Sequence, residues 1–466
     1  YWPWLQILRA IVQQTDADAL QTQTADGAAD IAEILPQLQG KLPGLKPPPQ
    51  LEPEQARFRL FDSITSFFKR ASEEQPIALI LDNLHWADAS SLRLLEFAAQ
   101  ELSEARLLVI GTYRDVDVSR GHPLYRTLGE LARLQNFQRV LLRGLSEEEV
   151  GGVIEVTGGV RPTASLAALV HRETEGNPLF VGEIVRLLAQ EGKLENGDVD
   201  EADFRLPEGV REVIGRRLDA LSADCNEALR VASVIGREFS LKQLEPLVDA
   251  GQVSLTDGLD EAVGARIVEE LPRSVGRYQF SHALIRQTLE AELTTTRRVR
   301  LHARIVEVYE ELYAGELEAH AVELARHAAE AETMIGPDKL VRYSIMAGEQ
   351  ALAAYAYEEA MAHFQRALAA YDEKPVDAEK AKLLFGLGRA EAAVLKITDA
   401  LPHLREAFDF YMDAEDVARA IAVAGVTVTG FDGQIGMAPL VQQALSLAPP
   451  GSIDAGRLLC TYGRYL

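Results

Sequence analysis

A chain of 466 residues that is 47% apolar and 25% charged has ordinary globular composition, which excludes disordered, collagen-like and silk-like states. Its 71 acidic against 47 basic residues leave a formal charge of −24, so the chain repels phosphate backbones and is not expected to grip nucleic acid by itself. The length suits about three domains, no run of about 18 apolar residues could span a membrane, and two cysteines (Cys225 and Cys460) cannot staple such a fold, which fits a reducing cytoplasm.

Residues 1–35 read as helical, with Leu5, Leu8, Ile11 and Val12 at helical spacing. The stretch from Pro36 to Pro53 holds six prolines, including Pro47-Pro48-Pro49, and reads as a surface loop. Helix resumes near Glu54, where Phe58, Phe61, Ile64 and Phe68 share one face that is expected to be buried. Ile77 to Leu81 is a short, wholly apolar run, the pattern of a strand covered on both faces. A helix from about Ala89 carries Leu92, Leu95 and Ala99 along one side, with Asp88 at its N-cap position. Leu107 to Ile110 is a second apolar run, and Val140 to Leu142 a third and weaker one. Strand, helix, strand, helix, strand predicts parallel strands with crossover helices, an α/β layer over residues 1–145.

After Leu145 the strand signals stop. Ser146-Glu147-Glu148-Glu149 is a capping-box start, and short helices are expected over 146–205. Residues 206–300 read as helices with one hairpin, Ile267-Val268 and Tyr278 to Phe280 flanking Pro272 to Gly276, which suggests a winged-helix-like module. From about 301 to 466 the chain is Ala-rich helix. Phe364-Gln365-Arg366-Ala367-Leu368 echoes forty residues later as Leu404-Arg405-Glu406-Ala407-Phe408, and thirty-seven further on as Val441-Gln442-Gln443-Ala444-Leu445. A large-polar-polar-Ala-large pattern at a period of ~34–45 marks stacked helix pairs, chance similarity among amphipathic helices being the alternative.

Four segments could carry chemistry. The first apolar run ends in Asp82, and an acid at a strand end delivers a carboxylate to the C-terminal edge of a parallel sheet, where ligands bind in open α/β folds. An aspartate that only caps the next turn is the structural alternative. Arg114, in Gly111-Thr112-Tyr113-Arg114-Asp115 after the second run, could read a terminal phosphate through its fork of donors, or pair with Asp115 at the surface. Asn177-Pro178, in Glu175-Gly176-Asn177-Pro178-Leu179-Phe180, makes a sound helix start. His282, in Phe280-Ser281-His282-Ala283-Leu284, could face a ligand or cap and pack the following helix. None of the nine histidines lies in a His-x-x-x-His pair, and neither Cys-x-x-Cys nor Gly-x-Ser-x-Gly occurs. A phosphate-cradling Gly-x-x-x-x-Gly-Lys-Ser/Thr loop is missing too: Gly40-Lys41 is followed by Leu42 and Gly192-Lys193 by Leu194.

The extended string Leu81-Asp82-Asn83-Leu84-His85-Trp86-Ala87-Asp88-Ala89-Ser90-Ser91-Leu92 resembles the Walker B segment of the STAND branch of AAA-type ATPases. The likeness is greatest to bacterial regulators with large ATP-binding modules, some with a LuxR-type DNA-binding tail and others following a nucleotide cyclase domain. The resemblance covers residues 1 to about 300. It implies that Asp82 is the Mg²⁺-associated acid, Arg114 the sensor that reaches the γ-phosphate, Pro178, beside Asn177 in the lid, the residue that packs on adenine, and His282 a contact to the β-phosphate. The position after the first acid is often a second acid, and here it is Asn83. An amide cannot act as general base, so a slow switch is implied rather than a motor. In that family a P-loop precedes a segment like Tyr1-Trp2-Pro3-Trp4-Leu5, so a chain without an initiator Met is expected to be truncated before it.

The expected fold is therefore multidomain α/β plus α. It comprises a partial P-loop-type parallel-sheet core (1–145), a helical lid (146–205), a winged-helix-like module (206–300) and a solenoid resembling tetratricopeptide repeats (301–466). The expected function is an ATP- and Mg²⁺-dependent signalling switch, part of a transcriptional regulator, with slow hydrolysis. Its expected partners are ATP or ADP, a protein or small-molecule inducer on the repeats, and a second copy of the chain; DNA would be met only through a domain outside this piece. The alternative is a non-catalytic interaction scaffold with a degenerate nucleotide module.

Overall fold

A computed structural model describes residues 1–49, 51–102, 105–190, 210–248, 252–271, 274–371, 375–428 and 431–465. The chain divides into two compact units: Tyr1–Gln138 with Ala321–Ala325 and Pro337–Leu466, and Arg139–His320 with Arg326–Gly336. No helix among the described residues is long and apolar enough to cross a membrane.

In the first unit, strands β1 (Ile77–Leu81) and β2 (Leu107–Gly111) pair in parallel, with Leu79 opposite Val109 and Leu81 opposite Gly111. The crossover is helix Ala89–Glu101, started by Asp88, whose carboxylate accepts from the Ser91 N–H at 2.7 Å. Helices Trp2–Gln14 and Pro53–Glu74 complete the core, which gathers Trp4, Leu8, Phe61, Phe67, Phe68, Leu79, Leu81 and Leu94. The buried Trp4 donates its indole N–H to the Ser91 carbonyl at 3.0 Å, as a buried indole must find an acceptor.

Four sequence expectations are corrected here. Phe58 is 59% exposed and meets Phe97 edge-on, because Phe61, Ile64, Phe67 and Phe68 already fill the buried side of its helix. Among the described residues the sheet is covered on one face only: Leu79 and Leu81 are buried, whereas Ile80 is 65% exposed and Leu108 and Ile110 also face outward. Val140 to Leu142 form no strand, with Leu142 87% exposed, since no described strand edge takes up their backbone groups. Within the proline-rich stretch, Gln37–Lys41 is a short helix, possible because it lies between Pro36 and Pro43 and contains no proline.

Helix pairs follow in the same unit: Pro337–Ala353 with Tyr357–Ala369, Ala378–Ala393 with Ile397–Asp413, and Val417–Ala424 with Phe431–Leu447, then Ile453–Tyr465. All three sequence echoes fall on the second helix of a pair, and Ala367, Ala407 and Ala444 are fully buried, as are Phe364, Leu404 and Val441. Phe364 fits where the neighbouring helices lack side chains. A Cβ on Gly348 or Gly386 would lie 2.5 or 2.4 Å from its ring.

The second unit starts with three helices, Glu147–Gly158, Ala164–Thr174 and Pro178–Gln190, packed through Val150, Ile154, Leu166, Val170, Val181, Val185 and Leu188. The Ser146–Glu149 capping box is complete. Helices Val210–Asp219, Ala223–Ile235 and Gln252–Gly264 accompany a three-stranded antiparallel sheet of order β3 (Glu238–Ser240), β5 (Arg277–Phe280), β4 (Val268–Glu270). The expected hairpin is β4 and β5, with Val268 opposite Phe280; its Pro272 lies outside the described residues, as do 191–209, including Gly192-Lys193.

Candidate functional site

The strand-end loops of the first unit are built by continued pairing beyond the strands. The Thr112 N–H donates to the Leu81 carbonyl at 3.0 Å and the Leu84 N–H to the Thr112 carbonyl at 2.7 Å. Between them Asn83 turns the chain in the left-handed region, φ 59°, a conformation that Asn tolerates better than most residues. The turn leaves the Asp82 carboxylate exposed at the C-terminal edge of β1 and clamps it from two sides. Thr112 donates its hydroxyl to Asp82 Oδ1 at 2.5 Å, and the Asn83 side-chain amide donates to Oδ2 at 2.6 Å. The Asn83 backbone N–H in turn donates to Thr112 Oγ1 at 2.9 Å. Each carboxylate oxygen keeps further acceptor capacity facing solvent.

Arg114 lies on the loop after β2, its guanidinium 5.9 Å from the centre of the Trp86 ring. His85 is buried beneath, its ring 4.8 Å from that of Trp86, and burial holds its pKa below the usual histidine value. The structure thus brings Asp82, Asn83 and Arg114 to one pair of adjacent loops.

Asn177, Pro178 and His282 belong to the second unit. Pro178 opens helix Pro178–Gln190, where a missing N–H costs nothing, and Asn177 Oδ1 accepts from the Leu179 N–H at 3.1 Å. The turn before them is locked by backbone. Gly176 takes φ 71° and its carbonyl accepts from the Leu145 N–H at 2.7 Å, while a Cβ on Gly144 would lie 2.2 Å from the Glu175 carbonyl oxygen. His282 stands at the N-cap of helix Ala283–Ala291, Nδ1 accepting from the Leu284 N–H at 3.2 Å.

Sequence reasoning missed several supports. Thr112 is one; its signal was a hydroxyl at the strand end opposite the acid. Gly144 is another, detectable only through its close approach to Glu175. Glu183 and Arg217 form a buried ion pair, and Arg217 also donates to the Ala265 carbonyl at 2.6 Å, which ties helices Pro178–Gln190 and Val210–Asp219 together. No local pattern announces that pair, because the partners lie 34 residues apart.

Residues 1–110 match the family described as the AAA ATPase domain. An uncharacterized protein of Rhizobium meliloti (strain 1021) is 24% identical over 331 residues; the match covers 68% of this chain and 30% of that protein. Among solved structures, a signal transduction ATPase with numerous domains carrying a tetratricopeptide repeat sensor, from Pyrococcus horikoshii, is similar at 14% identity and a TM-score of 0.37, over 87% of this chain and 61% of that one.

Proposed function

We propose that this chain, whose residues 1–110 match the AAA ATPase domain family, belongs to an ATP-operated signalling switch of the STAND type. The observation that carries the reading is the exposed Asp82 carboxylate, clamped by Thr112 and Asn83 at the C-terminal edge of a parallel sheet, with Arg114 on the adjacent loop. The donor set fits Mg²⁺, a hard cation that keeps several waters and needs only one or two carboxylates. When bound, Mg²⁺ supplies positive charge that neutralises the phosphates. Asp82 would hold it through water, and Arg114 would reach the terminal phosphate.

Asn83 cannot take a proton from water, and its amide is spent on Asp82, so any hydrolysis is slow. Pro178 beside Asn177 would pack on adenine, and His282 would meet the β-phosphate. The working division is a nucleotide core (1–145), a lid (146–205), a winged-helix-like module (206–300) and repeats (301–466). The repeats would receive an inducer, in a cytoplasmic protein whose transcriptional output lies in another segment.

The test uses the full-length gene product. ATP with Mg²⁺ is expected to bind, and Asp82→Ala to abolish the Mg²⁺ dependence. Binding indifferent to Asp82→Ala would sink the reading. In that case the repeats, with their interlocked Phe364, Gly348 and Gly386, favour the second reading, an interaction scaffold.

A further inference from the structure

His85 lies three residues beyond Asp82 and is 5% exposed, yet the roles given above to Asp82 and Arg114 do not use it. Its surroundings fix its chemistry. The Arg114 backbone N–H points at Nδ1 from 3.3 Å, and since that group can only donate, Nδ1 is the acceptor and the neutral ring carries its proton on Nε2. This Nε2 is buried without a hydrogen bond. The Asp117 carboxylate faces it at 3.6 Å, just beyond hydrogen-bonding length.

The residue is anchored independently of its ring. Its carbonyl lies 3.1 Å from Nε2 of His122, whose Nδ1 accepts from the Leu124 N–H at 3.1 Å, so His122 is also an Nε2–H tautomer and donates to His85. Among the described residues the buried Nε2–H, short of a hydrogen bond, is met only by the longer 3.6 Å contact with the Asp117 carboxylate. One imidazole therefore faces both ends of the single turn that runs from Arg114 through Asp115–Asp117.

We propose that His85 is the positioning residue for Arg114: as the Nε2–H tautomer it holds the Arg114 backbone through Nδ1 and faces Asp117 through Nε2, which sets where the guanidinium points. The inference rests on the phosphate-reading role given to Arg114 above.

The test again uses the full-length gene product and measures the ratio of ATP to ADP affinity. Arg114→Ala is expected to lower that ratio about tenfold, the worth of one charge-assisted contact. His85→Leu should lower it comparably. His85→Asn, which can place an amide oxygen near the Nδ1 position, should restore most of it. The double variant Arg114→Ala with His85→Leu should lose no more than Arg114→Ala alone. If Arg114→Ala lowers the ratio while His85→Leu leaves it intact, or if the two losses add, the positioning role is overturned and the phosphate-reading role stands. If Arg114→Ala changes nothing, the phosphate-reading role fails and this one with it. A readout without nucleotide is histidine-selective ¹⁵N NMR of the chain at pH 7. An unprotonated Nδ1 and protonated Nε2 for His85 support the proposal, and the opposite tautomer or an imidazolium overturns it.

Discussion

Glu359 caps the helix that follows the strand-end loop: its carboxylate accepts the backbone N–H of Ser90 at 3.2 Å and the Ser90 hydroxyl at 2.6 Å. Asp88 takes the next N–H, that of Ser91, so two orphan donors at one helix start are satisfied from places 271 positions apart in sequence. Glu358, beside it, pairs with Arg93 at 2.8 Å. Tyr357 donates its hydroxyl to the Pro53 carbonyl at 3.0 Å, and Tyr355 to Glu33 at 2.7 Å. The start of repeat helix Tyr357–Ala369 is thus fastened to helix Ala89–Glu101, which starts seven residues after Asp82.

That contact predicts coupled stability. Glu359→Ala and Ser90→Ala should each cost ~1 kcal/mol in urea denaturation, the typical worth of a cap or a buried hydrogen bond. The double variant should cost clearly less than the sum. Strict additivity would show that the two residues do not interact.

Phe364 predicts a packing asymmetry. Gly348→Ala and Gly386→Ala should each destabilise the repeats by ~1–3 kcal/mol, because the new methyl meets the ring at 2.5 or 2.4 Å. Phe364→Ala should cost ~3–5 kcal/mol, and adding Gly386→Ala to it should cost little more, the ring being gone. Thermal unfolding of the three single variants and the double checks this; a full extra penalty in the double variant contradicts it.

Gly144 predicts a local backbone failure. Its missing Cβ leaves room for the Glu175 carbonyl, and backbone cannot step aside as a flexible side chain can. Gly144→Ala should break the Leu145–Gly176 hydrogen bond and loosen the Asn177–Pro178 turn. Hydrogen exchange at the Leu145 amide should accelerate by orders of magnitude, while exchange in helix Ala89–Glu101 stays unchanged.

Two histidine sites predict opposite pH trends. His302 and His327 are buried with their Nδ1 atoms 2.8 Å apart. Arg326, which can only donate, lies 2.7 Å from His327 Nε2; His327 therefore carries its proton on Nδ1 and donates to His302. Burial, with Arg326 and Arg298 nearby, depresses His302 to about 4 and pushes His327 down as well. A depressed folded pKa gives stability that is complete above the unfolded value of ~6.5 and is lost as pH falls toward 4, by up to ~3 kcal/mol for His302. His403 behaves in reverse. Its Nδ1 lies 2.7 Å from the buried Glu391, and this hydrogen bond raises its pKa, so its contribution is complete below ~6.5 and lost as pH rises through the folded value. Denaturation curves across pH 4 to 8 for His302→Gln and Glu391→Gln should flatten the acid and the neutral limb respectively. Unchanged limbs would refute the assignments.

The candidate site was legible to different depths. Asp82 could be read because an acid directly after an apolar run is placed by the strand itself at the sheet edge, whereas Arg114, three residues past the end of β2, was singled out by the family resemblance of its segment. The caps at Asp88, Ser146 and Asn177 were equally local, each satisfying an N–H two or three residues away. Val140 to Leu142 misled because an apolar run states only that a segment can pair, and pairing needs a partner edge. Phe58 misled because helical spacing gives a face but not how wide a face the neighbours cover.

The sequence by itself determined what depends on neighbours a few residues apart: helix starts, the two paired strands, the acid at the end of β1, and the echo of Phe364, Leu404 and Val441 on successive helices. Only the tertiary structure decided what depends on separations that no pattern encodes. Thr112 closes on Asp82 across two strands, His85 reaches the Arg114 amide, Glu359 caps Ser90, and Gly144 yields to Glu175. Periodicity fixes which way a side chain leaves its own element, whereas the hydrogen-bond partner it finds is fixed by how separate elements pack, with buried donors and acceptors paired through whichever segment the fold brings within about 3 Å.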